Sequence, residues 1–226
     1  MFKSIAVLAL SLSIVGCAIT PPANVATPNR DNFNIAKDAA ISSAGKPLHF
    51  VVFEKKTTVI VEEDGKKFKD SVSEFGSGAQ WNSDYVVTAK HVDFVKDSVY
   101  ASSNNVDIRF VKRHSDVAVN VWRNAKPLEN VTFVGISQSS KPMVLAGKDT
   151  GKFAKTVKND MVYLAETDIV GGMSGGPVYA DDGSIVGIAT GIVSGDNLIG
   201  FDVNKFYTTY IPLSVIQKEW EIFQKQ

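Results

Sequence analysis

The run Gly171-Gly172-Met173-Ser174-Gly175-Gly176-Pro177 sets one serine among four glycines. Glycine inside a helix or strand costs about 0.5–1 kcal/mol relative to alanine, so such a run belongs to a sharp turn in close contact with something else. A serine on that turn exposes its hydroxyl. The arrangement suits acyl transfer, with Ser174 as nucleophile and the backbone N–H groups of Gly172 and Ser174 aimed at the oxygen that becomes negative. A hydroxyl is a weak nucleophile until a base takes its proton. Tyr85-Val86-Val87-Thr88-Ala89-Lys90-His91 is an apolar, β-branched strand that ends on a histidine. With an ordinary pKa of about 6.5, His91 suits proton transfer at neutral pH. His114-Ser115-Asp116-Val117-Ala118-Val119 places an aspartate at the head of an alternating apolar run. Asp116 is the expected orienter of His91, carried into the interior by Val117-Ala118-Val119; Asp93, Asp97 and Asp107 are rivals. His114 lies too close to Asp116 to be the base and reads as a solvated loop residue. His49 sits in a strand, packed or at the surface. The plain alternative is a glycine-rich surface turn with an incidental serine.

Three local words, in the order His, Asp, Ser, resemble the trypsin-like (chymotrypsin-fold) serine proteases. They are Thr88-Ala89-Lys90-His91, Asp116-Val117-Ala118-Val119 and Gly172-Met173-Ser174-Gly175-Gly176-Pro177. The resemblance covers roughly residues 46–213, and is closest to the short bacterial branch with the Deg/HtrA and glutamyl endopeptidase groups. It implies an all-β fold of two six-stranded antiparallel β-barrels, with a C-terminal α-helix. It implies the triad His91, Asp116 and Ser174, an oxyanion hole at Gly172 and Ser174, and a substrate edge at Thr190, Gly191 and Ile192 that accepts a peptide as an added strand. Animal trypsins carry Asp just before the serine; here it is Met173, so their amino-terminal activation is not expected. Asp168 stands where trypsin has its basic-residue selector, and reads either as a selector for Lys or Arg or as an ordinary loop residue. Ala189 stands where glutamyl endopeptidases place a histidine, which argues against Glu preference.

The whole chain has 226 residues, 44% hydrophobic and 21% charged, with a formal net charge of zero. That fits one two-lobed domain, and gives no electrostatic reason to bind nucleic acid. No metal cluster and no cofactor is implied. The single cysteine, Cys17, excludes an intramolecular disulfide. Lys3 precedes an apolar run from Ile5 to Val15, shorter than the roughly 20 residues of a membrane-spanning helix. Residues 1–16 therefore read as a signal peptide. Ile14-Val15-Gly16-Cys17 resembles a bacterial lipobox, which implies cleavage before Cys17 and its acylation, an anchor of several acyl chains. Ala18 rather than Asp follows, which resembles default sorting to the outer membrane, facing the periplasm. Residues 17–45, with Pro21, Pro22 and Pro28, read as the lipidated cysteine and a flexible tether. Ile35 to Ile41 is a weak candidate for a short helix.

Residues 46–226 form the expected protease domain. Leu48–Phe53, Thr57–Val61, Phe75–Trp81 and Tyr85–Ala89 read as strands of the first lobe, with a turn at Asp64-Gly65. Val131–Val134, Pro142–Ala146, Met161–Ala165, Pro177–Ala180, Ile185–Ile192 and Gly200–Thr208 read as strands of the second. Ser214 and Gln217 form a capping-box pattern, and Ile216, Trp220 and Phe223 recur at helical spacing. The spacing predicts a closing helix packed on the second lobe, with no room after it for a PDZ domain. The chain thus reads as a monomeric, lipid-anchored serine endopeptidase acting on peptide or protein substrates. The alternatives are a non-catalytic peptide- or protein-binding lipoprotein on a protease scaffold, and an esterase using the same residues.

Overall fold

The structure is a computed structural model that describes residues 35–226 except 43, 65, 117, 156–160 and 199. The proposed signal peptide, Cys17 and the tether as far as residue 34 lie outside the described residues. Among the described residues no helix is long and apolar enough to cross a membrane.

The first lobe is a six-stranded antiparallel sheet. Its strands are β1 (Ile35–Ile41), β2 (Pro47–Glu63), β3 (Lys66–Gln80), β4 (Tyr85–Thr88), β5 (Ser98–Ala101) and β6 (Arg109–Lys112). Their order across the sheet is β1-β2-β3-β4-β6-β5. The second lobe is built from β7 (Asn130–Ile136), β8 (Pro142–Lys155), β9 (Met161–Glu166), β10 (Pro177–Ala180), β11 (Ile185–Ser194) and β12 (Phe206–Pro212), followed by α1 (Leu213–Phe223). These six strands close a barrel in the order β10-β11-β12-β9-β8-β7. The chymotrypsin-like architecture expected from the sequence is present, with one closed barrel and one six-stranded sheet.

Several local expectations change. Ile35–Ile41 is a strand paired with β2, not a helix, so a strand lies inside the expected tether. Leu48–Phe53 and Thr57–Val61 are one continuous strand, because β3 pairs with β2 without a break from Val51↔Gly78 to Glu63↔Lys66. This pair runs past the lobe as a two-stranded ribbon, on which Ile60 and Val72 are exposed. The last strand begins at Phe206 rather than Gly200.

The closing helix forms where the apolar spacing predicts it, but its N-cap is Pro212, with no capping side chain, rather than Ser214. The helix packs on the second lobe as expected, Ile216 lying in one core with Val162, Ile188 and Ile211, and its aromatic residues reach across to the first lobe as well. Trp220 meets Trp81 and Tyr85 at ring-centroid distances of 5.9 and 5.0 Å, and Phe223 meets Tyr100 at 5.7 Å. Such pairs contribute about 0.5–1.5 kcal/mol each beyond their buried area. Glu219, 2% exposed, accepts a hydrogen bond from Tyr100 Oη at 2.7 Å and another from Asn104 Nδ2 at 3.2 Å. Burial, and then the Glu219 carboxylate, pushes the Tyr100 phenol up to about 12. The helix thereby latches the segment that leads into Asp107.

Candidate active site

Val86, Val87 and Thr88 of β4 are all buried, as a continuous apolar strand between packed layers should be. The strand delivers its last residues to the boundary between the lobes. There Thr88 Oγ1 donates to the Ser77 carbonyl at 2.6 Å, and Ser77 N–H donates to the Ser174 carbonyl at 2.9 Å. The glycine turn is pressed onto this junction. Gly175 has φ +84°, and a Cβ there would collide with Thr88 Oγ1 and the Ser77 carbonyl. Ala89, two residues before His91, lies against the same position. Glycine is required because β4 and the turn share this space. The packing sets Gly175, next to Ser174, against Ala89, two residues before His91.

His91 is held by Asp107. Its Nδ1 lies 2.7 Å from Asp107 Oδ2, and its backbone N–H donates to Asp107 Oδ1 at 3.0 Å. The register explains the contact. β6 runs antiparallel to β4 with Thr88↔Arg109, so the residues just before β6 fall beside those just after β4. Lys90 N–H accordingly donates to the Asp107 carbonyl at 3.2 Å. Ile108, next to Asp107, is fully buried and anchors the pair. An open cleft of about 410 Å³ runs along it, lined by Lys90, His91, Asp93, Asn105, Asp107 and Arg109 among others.

Asp116 does not take the place expected of it. Its side chain is 98% exposed and pairs with His114 Nε2 at 3.1 Å, while His114 Nδ1 lies 2.9 Å from Asp84. Asp84 precedes β4 and His91 follows it, so Asp116 is placed at the opposite end of that strand, on the order of 20 Å away by strand rise. The residues after it do not form a strand: Ala118 is exposed and Val121 is 65% exposed. Ala118 does not enter the interior, and β6 occupies the position beside β4. The two carboxylates, Asp84 first, raise the His114 pKa. His114 is a surface residue, as expected.

The turn is fixed by close backbone contacts. Gly172 has φ +94°, with its flank against the Ile136 carbonyl and the Gln138 backbone. Its carbonyl accepts from Ser77 Oγ at 2.8 Å, and Ser77 Oγ accepts from Ile136 N–H at 2.9 Å. Among the described residues, no hydrogen bond engages the N–H of Gly172 or of Ser174. The Ser174 hydroxyl donates to the Thr190 carbonyl at 3.3 Å. Met173, where trypsins have an acid, is fully buried in the apolar core of the second barrel.

Thr190, Gly191 and Ile192 lie on the far half of β11. β10 pairs with β11 only between Ile185 and Ile188, and Gly175 N–H then takes the Ala189 carbonyl at 2.7 Å. Past that point this edge of β11 carries no strand among the described residues, and Ile192 is 43% exposed. Thr190 is anchored from behind, its hydroxyl 2.9 Å from that of Thr209. Asp168 is exposed on the loop after β9, and Ile169 beside it is buried.

Asp107 was legible as a rival, and Asp107-Ile108-Arg109-Phe110 is another acid followed by alternating apolar residues. Of the residues that frame the turn, Ser77 and Thr88 stand in the Gly76-Ser77-Gly78 and Thr88-Ala89-Lys90-His91 words, and Gln138 carries no sequence signal of that role.

No protein-family model and no curated protein matches the chain. Solved structures do. It is similar to the HtrA-type protease AlgW with a decapeptide, with a TM-score of 0.57 and 15% identity over 81% of this chain and 64% of that one. It is similar to the Rv3671c protease from M. tuberculosis in its active form, with a TM-score of 0.52 and 18% identity over 66% of this chain and 73% of that one. The inactive form of Rv3671c protease gives a TM-score of 0.51 and 16% identity over 66% and 84%. The chain spans just under two thirds of AlgW. At such identities the shared property is the fold: the chain has the chymotrypsin-like scaffold of HtrA-type and trypsin-like serine proteases.

Proposed function

We propose that the chain is a serine endopeptidase that cleaves peptide bonds through an acyl-enzyme. The observation that carries this reading is the two-point grip of Asp107 on His91, beside a glycine turn that presents Ser174. Ser174 Oγ attacks the scissile carbonyl while His91 Nε2 takes its proton, and Asp107 holds the imidazole in the required tautomer and stabilises the imidazolium. The N–H groups of Gly172 and Ser174 receive the oxyanion. His91 returns the proton to the leaving amine; it then activates the water that frees the acyl group. Asp107 replaces Asp116 in this assignment because it is the carboxylate within reach of His91. The substrate pairs with the open edge of β11 at Thr190, Gly191 and Ile192.

The test is a fluorophosphonate probe applied to the purified full-length chain. Labelling that disappears in Ser174→Ala is expected. The contact of Ser174 Oγ with the Thr190 carbonyl favours a second reading, a peptide-binding module on a protease scaffold. Folded protein that takes up no label would establish it and overturn catalysis.

The sequence around Cys17 supports the rest of the proposal: an acylated amino terminus that holds the enzyme on a bacterial membrane, at the outer membrane facing the periplasm. Cys17→Ser is expected to block processing or release the protein from the membrane fraction. Retention of a normally processed Cys17→Ser protein would rule out the anchor.

A further inference from the structure

The edge of β3 that faces away from β2 is used at alternate positions. Ala79 pairs with Val87 of β4. Ser77 N–H donates to the Ser174 carbonyl at 2.9 Å. Phe75 N–H donates to Gln138 Oε1 at 3.0 Å, and the Phe75 carbonyl accepts from Gln138 Nε2 at 3.0 Å. Alternate residues of a strand present their N–H and C=O to the same side, so these three positions are successive rungs of one ladder. A strand fills the first rung and the nucleophile's own carbonyl the second. The third is filled by a side-chain amide, which carries the donor and acceptor of a peptide unit.

We propose that Gln138 is a resident stand-in for substrate. On the protease reading above, the part of a polypeptide that follows the cleaved bond adds as a strand to the β3 edge, starting at Phe75, and the Gln138 side chain swings out to admit it. The geometry supports this in three ways. Gln138 N–H donates to the Gly171 carbonyl at 2.9 Å, so its backbone lies beside the glycine turn while its side chain reaches across to Phe75. That backbone supports the turn whichever way the side chain points. Beyond Phe75, the same edge from Ser73 back to Lys66 has no strand partner among the described residues. Val72 on this stretch is 53% exposed, ready to cover an apolar side chain of an added strand. Gln138 and a substrate peptide cannot hold Phe75 together. The preferred substrate is then an extended polypeptide with several residues beyond the cleaved bond. Removing the Gln138 amide would favour that class over compounds with no such arm.

The test compares wild type, Gln138→Ala and the near-isosteric Gln138→Glu on two probes. Unfolded casein offers chain on both sides of the cut; a fluorophosphonate has no arm on the leaving side. The ratio of casein turnover to labelling rate should rise about 5- to 30-fold in Gln138→Ala, the scale of two ordinary hydrogen bonds freed from competition. It should rise in Gln138→Glu as well, because a carboxylate cannot donate to the Phe75 carbonyl. An unchanged ratio in both variants overturns the inference, and a fall makes Gln138 a substrate-binding residue instead. Amide exchange at Phe75 gives a readout independent of turnover: slow in wild type and faster in Gln138→Ala, with equal rates counting against the inference. Loss of labelling in all three proteins would sink the hydrolase reading, and this inference with it.

Discussion

Asp107 meets His91 at two points, Oδ2 against the ring Nδ1 at 2.7 Å and Oδ1 against the backbone N–H at 3.0 Å. Two contacts from one carboxylate fix the position of the imidazole as well as its tautomer. His91 is half exposed. Asp107 is only 25% exposed and can restrain the ring without drifting itself.

Asp107→Asn should lower turnover by about 10⁴, the scale on which a wrong histidine tautomer disables this chemistry. Asp116→Asn should change turnover less than threefold, since Asp116 is exposed and pairs with the surface His114. Casein hydrolysis by the two purified variants decides between them. A dead Asp116→Asn beside an active Asp107→Asn would reverse the assignment.

Gly175→Ala should abolish both folding of the junction and activity. The new methyl would collide with Thr88 and Ser77 at a position whose φ of +84° already disfavours a side chain. Backbone is among the atoms it meets, so the clash has no cheap relief, and the cost should exceed about 3 kcal/mol. Thermal unfolding monitored by circular dichroism would show it; a melting temperature within a degree of wild type would refute the packing described for the turn.

Glu219→Ala should destabilise by about 1–3 kcal/mol, because it leaves the Tyr100 hydroxyl buried without its acceptor. For a chain of this size, that shift lowers the melting temperature on the order of 5 °C. Glu219→Gln keeps an acceptor in place and should lose less. Turnover in Glu219→Ala should fall further than the melt alone accounts for, since the latched segment runs directly into Asp107. Full activity at a temperature where the variant is folded would separate the helix from the site.

The serine turn, the histidine strand and the closing helix were all legible in the sequence, for local reasons. A glycine run has few uses, a β-branched strand needs only its own residues, and helical spacing shows in eleven residues. Thr190–Ile192, on the half of β11 that β10 leaves uncovered, was singled out by resemblance alone. The acid was not decided locally. Asp107 and Asp116 both stand before alternating apolar residues, and the choice depends on which following stretch pairs with β4. That pairing is a contact between strands far apart in the chain, won by Arg109–Lys112. The helix's partner was undetermined for the same reason: Trp220 and Phe223 show a face, but only assembly decides that Trp81, Tyr85 and Tyr100 meet it. The sequence by itself determined which groups the chain carries and the local bends that expose them. Tertiary structure decided which carboxylate reaches the imidazole, and that Gln138 sits on the β3 edge beside the Ser174 turn, because both are matters of register between elements that no local pattern encodes.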